Sequence, residues 1–195
     1  MSAQAIDLQD VREELEQLRA GFSTLLLATV SADGLPDASY AAYVERDGDY
    51  YVYVSELSTH TRNMASNGRA SALFIENEAH AGHLFARKRL TYQCEAIEVA
   101  RDAAAFDPIM QAFAERFGQL IDTLRGLQDF HLFRLRPMRG RYVAGFARAY
   151  EMDSAELQQI RHIREQGHRR ADGGRAELDA EDLNGMAGSA AALEG

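Results

Sequence analysis

Arg87, Lys88 and Arg89 stand side by side in the run Phe85 to Tyr92 (FARKRLTY), at the mouth of an alternating stretch, Leu90 to Val99. Guanidinium groups make paired, charge-assisted bonds to carboxylate or phosphate, so a cationic cluster at a strand end can hold an anionic ligand. A solvated turn carrying three charges is the equal alternative, because short basic runs are common on surfaces. The histidines are His60, His80, His83, His131, His162 and His168. His80 and His83 are three apart, a spacing that seats a metal on a helix, but no third ligand is in view. His131 lies between apolar residues and reads as a satisfied, partly buried side chain. His162 falls on the exposed side of a helical stretch. His168 follows Gly167 and precedes Arg169 and Arg170. It is either an exposed tail histidine or one free to swing onto a ligand already held elsewhere. Glycine-rich phosphate loops, nucleophile elbows and zinc-type cysteine patterns are absent from the sequence.

The chain has 195 residues with 46% hydrophobic and 26% charged, the balance of an ordinary globular protein with one sizeable domain and appended segments. The formal net charge of −9 argues against bulk binding to nucleic acid or to anionic lipid, and leaves room for a local basic pocket. No apolar run approaches the roughly 20 residues of a membrane span. The first residues, MSAQAIDLQDVREELEQ, are acidic and amphipathic, unlike a signal peptide. A single cysteine, Cys94, excludes an internal disulfide; a cytoplasmic location is expected, with Cys94 as a small core residue.

Positioning falls to a series of short strands. Leu8, Val11, Leu15, Leu18 and Phe22 mark one face of a helix, giving an N-terminal helical segment over 1–22. Thr24 to Val30, Ala38 to Val44 and Tyr50 to Ser55 follow as strands, separated by Asp33-Gly34 and Asp47-Gly48, both strong hairpin signals. A short helix is expected over Ser58 to Ser66, a strand over Ala70 to Ile75, and the longest strand over Arg89 to Val99. Asp107-Pro108 predicts a helix with Asp107 as its cap. Ile121 to Leu127 predicts a second, short helix. Asp129 to Leu135 alternates, with Asp129, His131, Phe133 and Leu135 on one face; Pro137 and Gly140 predict a turn before a last strand or two. Asp153 to Glu156 reads as a capping box opening a helix through Leu157, Ile160 and Ile163. The fold class is mainly β with flanking helices: about six or seven antiparallel strands in a barrel over 23–152, a C-terminal helical segment over 153–170, and an acidic, mobile tail over 171–195.

Together these segments resemble the HugZ/HutZ family of haem-utilisation proteins, which share the split β-barrel of the pyridoxamine-phosphate-oxidase type, a fold that mostly binds flavin mononucleotide (FMN). The resemblance runs from about Leu15 to Arg169 and rests on TLLLATV (24–30), ASY (38–40), HTRN (60–63), FARKRLT (85–91), ERFG (115–118), LQDF (127–130) and GHR (167–169). It implies that His168 is the axial ligand of haem iron and that Asp129 bonds that histidine from the other subunit of a homodimer. It implies that Arg89 belongs to the haem pocket, with Arg87, Lys88 and Arg169 as further cofactor-binding candidates. His60 matches a family histidine that is not the principal ligand, and Thr24 lies where strands meet at the subunit interface. The implied activity is oxygen-dependent haem degradation to a biliverdin-type product for iron utilisation, with haem as both substrate and oxygen-activating cofactor. A non-catalytic haem carrier or store is one alternative. An FMN-dependent oxidoreductase with Arg62, Arg87 or Lys88 on the phosphate is the other. The expected partners are haem, a second copy of the chain and a haem-delivery protein; the electron donor stays open, and neither nucleic acid nor membrane is expected.

Overall fold

The computed structural model describes residues 8–145, 148–153 and 159–162. The elements in order are α1 (Leu8–Ala20), β1 (Thr24–Val30), β2 (Pro36–Arg46), β3 (Asp49–Ser55), α2 (Thr59–Asn67), β4 (Arg69–Ile75), β5 (Arg89–Val99), α3 (Phe106–Phe117), α4 (Leu120–Arg125), β6 (Phe130–Gly145), β7 (Arg148–Asp153) and β8 (Gln159–His162). The strands are ordered β3-β2-β1-β4-β5-β6-β7-β8, and β3 also pairs with β6. That second pairing closes β1 to β6 into an antiparallel barrel, which removes the free edges an open sheet would leave. β7 and β8 extend the sheet beyond it, so the described residues hold eight strands.

Local chemistry accounts for the start of the meander. Arg46 pairs with Asp49 across a two-residue loop in which Asp47 and Gly48 have φ of 55° and 80°. Two successive left-handed residues form the turn whose twist matches a hairpin, and Asp-Gly tolerates it best. Strict alternation then fills the interior: Leu25, Leu27 and Thr29 of β1 are buried while their neighbours are exposed. Tyr43, Tyr50, Phe74 and Tyr92 pack inside with ring centroids 5.4 to 5.6 Å apart. β3 is buried on both faces. Tyr50, Val52 and Val54 face the barrel, whereas Tyr51 and Tyr53 face Phe106, Met110, Phe113 and Ile121 of α3 and α4.

Two helices mark the two ends. Val11 and Leu15 of α1 join the interior cluster, and Phe22 meets Phe74 near the end of β4 at a centroid distance of 5.9 Å. Met64 of α2 joins the same cluster, and Asn63 donates to Thr29 Oγ1, 3.0 Å away, near the end of β1. Arg89 opens β5 beside Ile75 and Val143, hence at the α1 end. Val99 closes β5 opposite Leu132, hence at the α2 end.

Three sequence expectations need correction. Pro137 to Gly140 is not a turn but lies inside the 16-residue β6. The register shifts there: Cys94 pairs with Pro137 and Gln93 with Arg139, leaving Met138 as the extra residue of a bulge. A bulge tolerates proline's missing N–H and bends the strand. β6 pairs with β3 up to Leu135 and with β7 from Arg139, so the bend sits where it changes partner. α3 begins after Ala105, with no side-chain cap; Asp107 sits in its first turn and pairs instead with Arg125. Gln159–His162 is a strand paired with Tyr150 to Asp153, where apolar spacing had indicated helix. The open edge of β7 supplies backbone partners that outweigh a period resting on three residues. The remainder of 153–170 and the tail over 171–195 lie outside the described residues.

Candidate functional site

The α2 end of the barrel gathers most of the polar residues that could act together. Asp129 stands just before β6 and is fixed from two directions. Ser55 Oγ donates to its Oδ2 at 2.9 Å, and the backbone N–H of Glu56 donates to its carbonyl at 2.8 Å. No hydrogen bond to Asp129 Oδ1 occurs among the described residues, so this half-buried carboxylate keeps one acceptor oxygen free. The loop that carries it is held by Arg101. Its Nη1 donates to the carbonyl of Arg125 (2.9 Å), and its Nη2 to those of Leu127 and Phe130 (3.1 Å to Phe130) and to Tyr53 Oη (3.2 Å). Its guanidinium also lies 5.7 Å from the Phe106 ring centroid.

His131, two residues on, is gripped by two carboxylates. Nδ1 lies 2.7 Å from Glu98 Oε1, and Nε2 lies 2.7 Å from Glu56 Oε1. The bond to Glu98 above all, opposed by burial and aided by the bond to Glu56, holds its pKa above the usual imidazole value. His131 is thus satisfied, as its setting suggested, though by charged partners. His60, in the first turn of α2, is buried, with Nδ1 2.8 Å from Ser39 Oγ and Nε2 enclosed without a partner among the described residues. Burial lowers its pKa, so it favours the neutral form. A side chain this enclosed is ill placed to ligate an incoming metal.

The basic cluster divides by role. Arg87 turns back into its own loop: Nε donates to the carbonyl of Glu76 at 2.9 Å and Nη1 to Glu78 Oε1 at 2.8 Å. It closes the 76–88 loop, aided by Glu76 N–H donating to the Lys88 carbonyl at 2.8 Å. The Lys88 ammonium has no partner among the described residues. Among the described residues Arg89 has one long contact, Nη1 to the Arg87 carbonyl at 3.3 Å, and it is half-buried at the start of β5. Loop closure by Arg87 leaves Lys88 and Arg89 as the cations able to meet a ligand. Leu84 and Phe85, on one turn of 3-10 helix beside them, are exposed at 64% and 86%, large apolar side chains left uncovered.

One chain does not bring these groups together. Arg89 opens β5 at the α1 end, whereas Asp129 precedes the residues that pair with the close of β5. Ten residue steps separate the ends of β5, roughly 30 Å of strand. His168 and Arg169 lie outside the described residues. His80 and His83 join no group of three metal-ligating side chains among the described residues. Cys94 is a buried core thiol whose pKa burial pushes up to about 12, so it stays protonated. Ser55, Glu56 and Arg101 escaped the sequence reading. Arg101 carried no usable signal, because its backbone partners lie 24 to 29 residues further on. No helix among the described residues is long and apolar enough to cross a membrane.

Comparison with known proteins agrees with this architecture. The pyridoxamine 5'-phosphate oxidase family model matches residues 11–144. The chain is 42% identical over 161 residues to a Vibrio cholerae protein named heme oxygenase HutZ, covering 83% of this chain and 91% of that one. A crystal structure of Vibrio cholerae HutZ, described as a heme storage protein, superposes with a TM-score of 0.61 at 44% identity, covering 64% of this chain and 88% of that one. Campylobacter jejuni ChuZ superposes with a TM-score of 0.73 at 31% identity, covering 89% of this chain and 68% of that one. The chain therefore belongs to the pyridoxamine 5'-phosphate oxidase family, and within it to the HugZ/HutZ haem-utilisation branch.

Proposed function

We propose that this protein binds haem between the two subunits of a homodimer and degrades it with dioxygen and an external reductant. The likeness to the Vibrio cholerae heme oxygenase carries this reading. The donor set fits haem: among the described residues Lys88 and Arg89 are uncommitted cations suited to an anionic ligand, and Asp129 retains a free oxygen for an imidazole N–H. Arg89 and Asp129 sit at opposite ends of one barrel, which favours a site completed by a second copy. The outer face of β1 offers a surface for that copy. Leu26 pairs with Tyr40 on one side and Leu73 on the other, and Leu26 and Tyr40 are 44% and 68% exposed.

Bound haem supplies the redox-active iron and is itself what is broken. His168 would be the residue that holds the iron. Asp129 from the second subunit would accept the other ring N–H, fixing the tautomer and strengthening the histidine as a donor. The Arg89 guanidinium would stabilise negative charge arising on the bound ligand. Lys88 and Arg169 would add to the positive field that draws the anionic ligand in. A biliverdin-type product and a cytoplasmic location complete the reading.

An anaerobic haem titration tests it, followed by dioxygen and ascorbate. One haem per chain is expected, with loss of the Soret band only when both reagents are present and iron then captured by a chelator. A Soret band that survives both reagents favours storage, the role named for the crystallised Vibrio cholerae HutZ. Purified protein carrying stoichiometric FMN overturns both in favour of flavin chemistry.

A further inference from the structure

β5 and β6 turn a cationic strip outward along their shared length. Leu90, Tyr92 and Cys94 of β5 are buried, so Arg89, Thr91 and Gln93 point away from the core. Arg141 stands opposite Thr91, and Arg139 opposite Gln93. Arg139 and Arg141 are exposed on either side of the buried Gly140. A Cβ on Gly140 would lie 2.8 Å from Met152 Cε and 2.9 Å from Tyr92 Cε1. Those side chains therefore pack directly beneath the backbone joining the two arginines, which makes a firm floor.

Thr91, Gln93, Arg139 and Arg141 line an outer concavity of about 630 Å³. Gln93 and Arg139 also wall an adjoining one of about 520 Å³, with Arg69 on its far side. Concavities of this size hold cofactor-sized molecules. The nearby acids are already engaged: Glu151 pairs with Arg141 at 3.1 Å and Glu95 with Arg136 at 3.5 Å. The guanidinium groups of Arg139 and Arg69 have no partner among the described residues. Arg139, common to both concavities, is an uncommitted cation within the strip that begins at Arg89.

We propose that this trench seats the anionic arms of the ligand, with Arg139 binding a propionate, Arg141 flanking it, and Arg89 at the other end of the strip. Arg89 and Gln93 are four residues apart, about 13 Å of strand, so the strip can span an extended planar ligand with carboxylates at one edge. The assignment rests on the haem reading above and adds the residues that would orient the macrocycle. It also gives Arg139 a role that does not depend on iron chemistry.

Titration with haem and with haem dimethyl ester, whose propionates are uncharged, separates the possibilities. Arg139→Glu should weaken haem binding by about tenfold or more, the scale of losing a charge-assisted pair. The same variant should leave ester affinity unchanged. Thr91→Trp, which fills the trench, should weaken haem and ester alike; thermal melts confirm that both variants fold. The trench assignment is overturned if Arg139→Glu binds haem as the wild type does, or weakens both ligands equally. If wild-type protein takes up neither ligand stoichiometrically, the haem reading fails together with it.

Discussion

Asp129 has one oxygen on Ser55 and the other free, and a loop backbone pinned by Arg101. This rigidity suits a carboxylate whose task is to orient another group. Asp129→Asn should leave haem bound, shift the iron–histidine stretching frequency in resonance Raman spectra, and slow cleavage about 10–100-fold, the usual cost of losing such a supporting bond. His60→Ala should retain the ligation spectrum, because its ring is enclosed beside Ser39. His131 gives a pH signature of its own. Its folded pKa is raised by Glu98 and Glu56, so its stabilising contribution is complete below the unfolded value of about 6.5. That contribution is lost as pH rises through the folded pKa. His131→Gln should therefore lower the melting temperature most in mild acid, with the difference from wild type shrinking towards alkaline pH. A difference that grows with pH would exclude a charged His131 between its two glutamates.

At the scale of elements, β6 explains both what the sequence disclosed and what it hid. The alternation over Asp129 to Leu135 correctly separated Phe133 and Leu135, in the barrel, from Leu132, against α3 and α4. The Asp-Gly turns, the span of β5 and the helix after β3 were likewise legible, because local residue chemistry decides them. Pro137 and Gly140 misled because turn and bulge use the same residues; only the partner strands distinguish them. Gly140 is needed for close approach to Tyr92 and Met152 rather than for a turn. Gly140→Ala should destabilise by about 1–3 kcal/mol, the cost of overpacking a filled core, measurable by urea denaturation. Met152→Ala in the same chain should recover part of it. The FARKRLT run was visible as a basic cluster, but the inward turn of Arg87 depends on Glu76 and Glu78, whose placement follows from loop closure. Arg101→Ala should speed amide exchange over 125–130 while the barrel strands keep their protection.

At the scale of the whole molecule, the closed barrel keeps its two ends apart, and Arg89 and Asp129, both proposed for the haem site, lie at opposite ends. No sequence pattern reports that separation, since it arises from strand register over the length of β5. A second copy packed on the outer face of β1 would bring opposite ends into reach. Tyr40→Lys combined with Leu26→Asp should yield monomers by sedimentation and weaken haem binding, whereas the same charges placed at exposed sites on α3 should do neither. The most direct test of a site shared between subunits mixes two defective chains. Heterodimers of a His168→Ala chain with an Asp129→Asn chain are purified with distinct tags and titrated with haem. A shared site predicts one intact site per heterodimer, with the wild-type iron–histidine frequency and wild-type turnover at half stoichiometry. Heterodimers showing only the Asp129→Asn spectrum and rate would mean that both residues serve the same chain, and would contradict it.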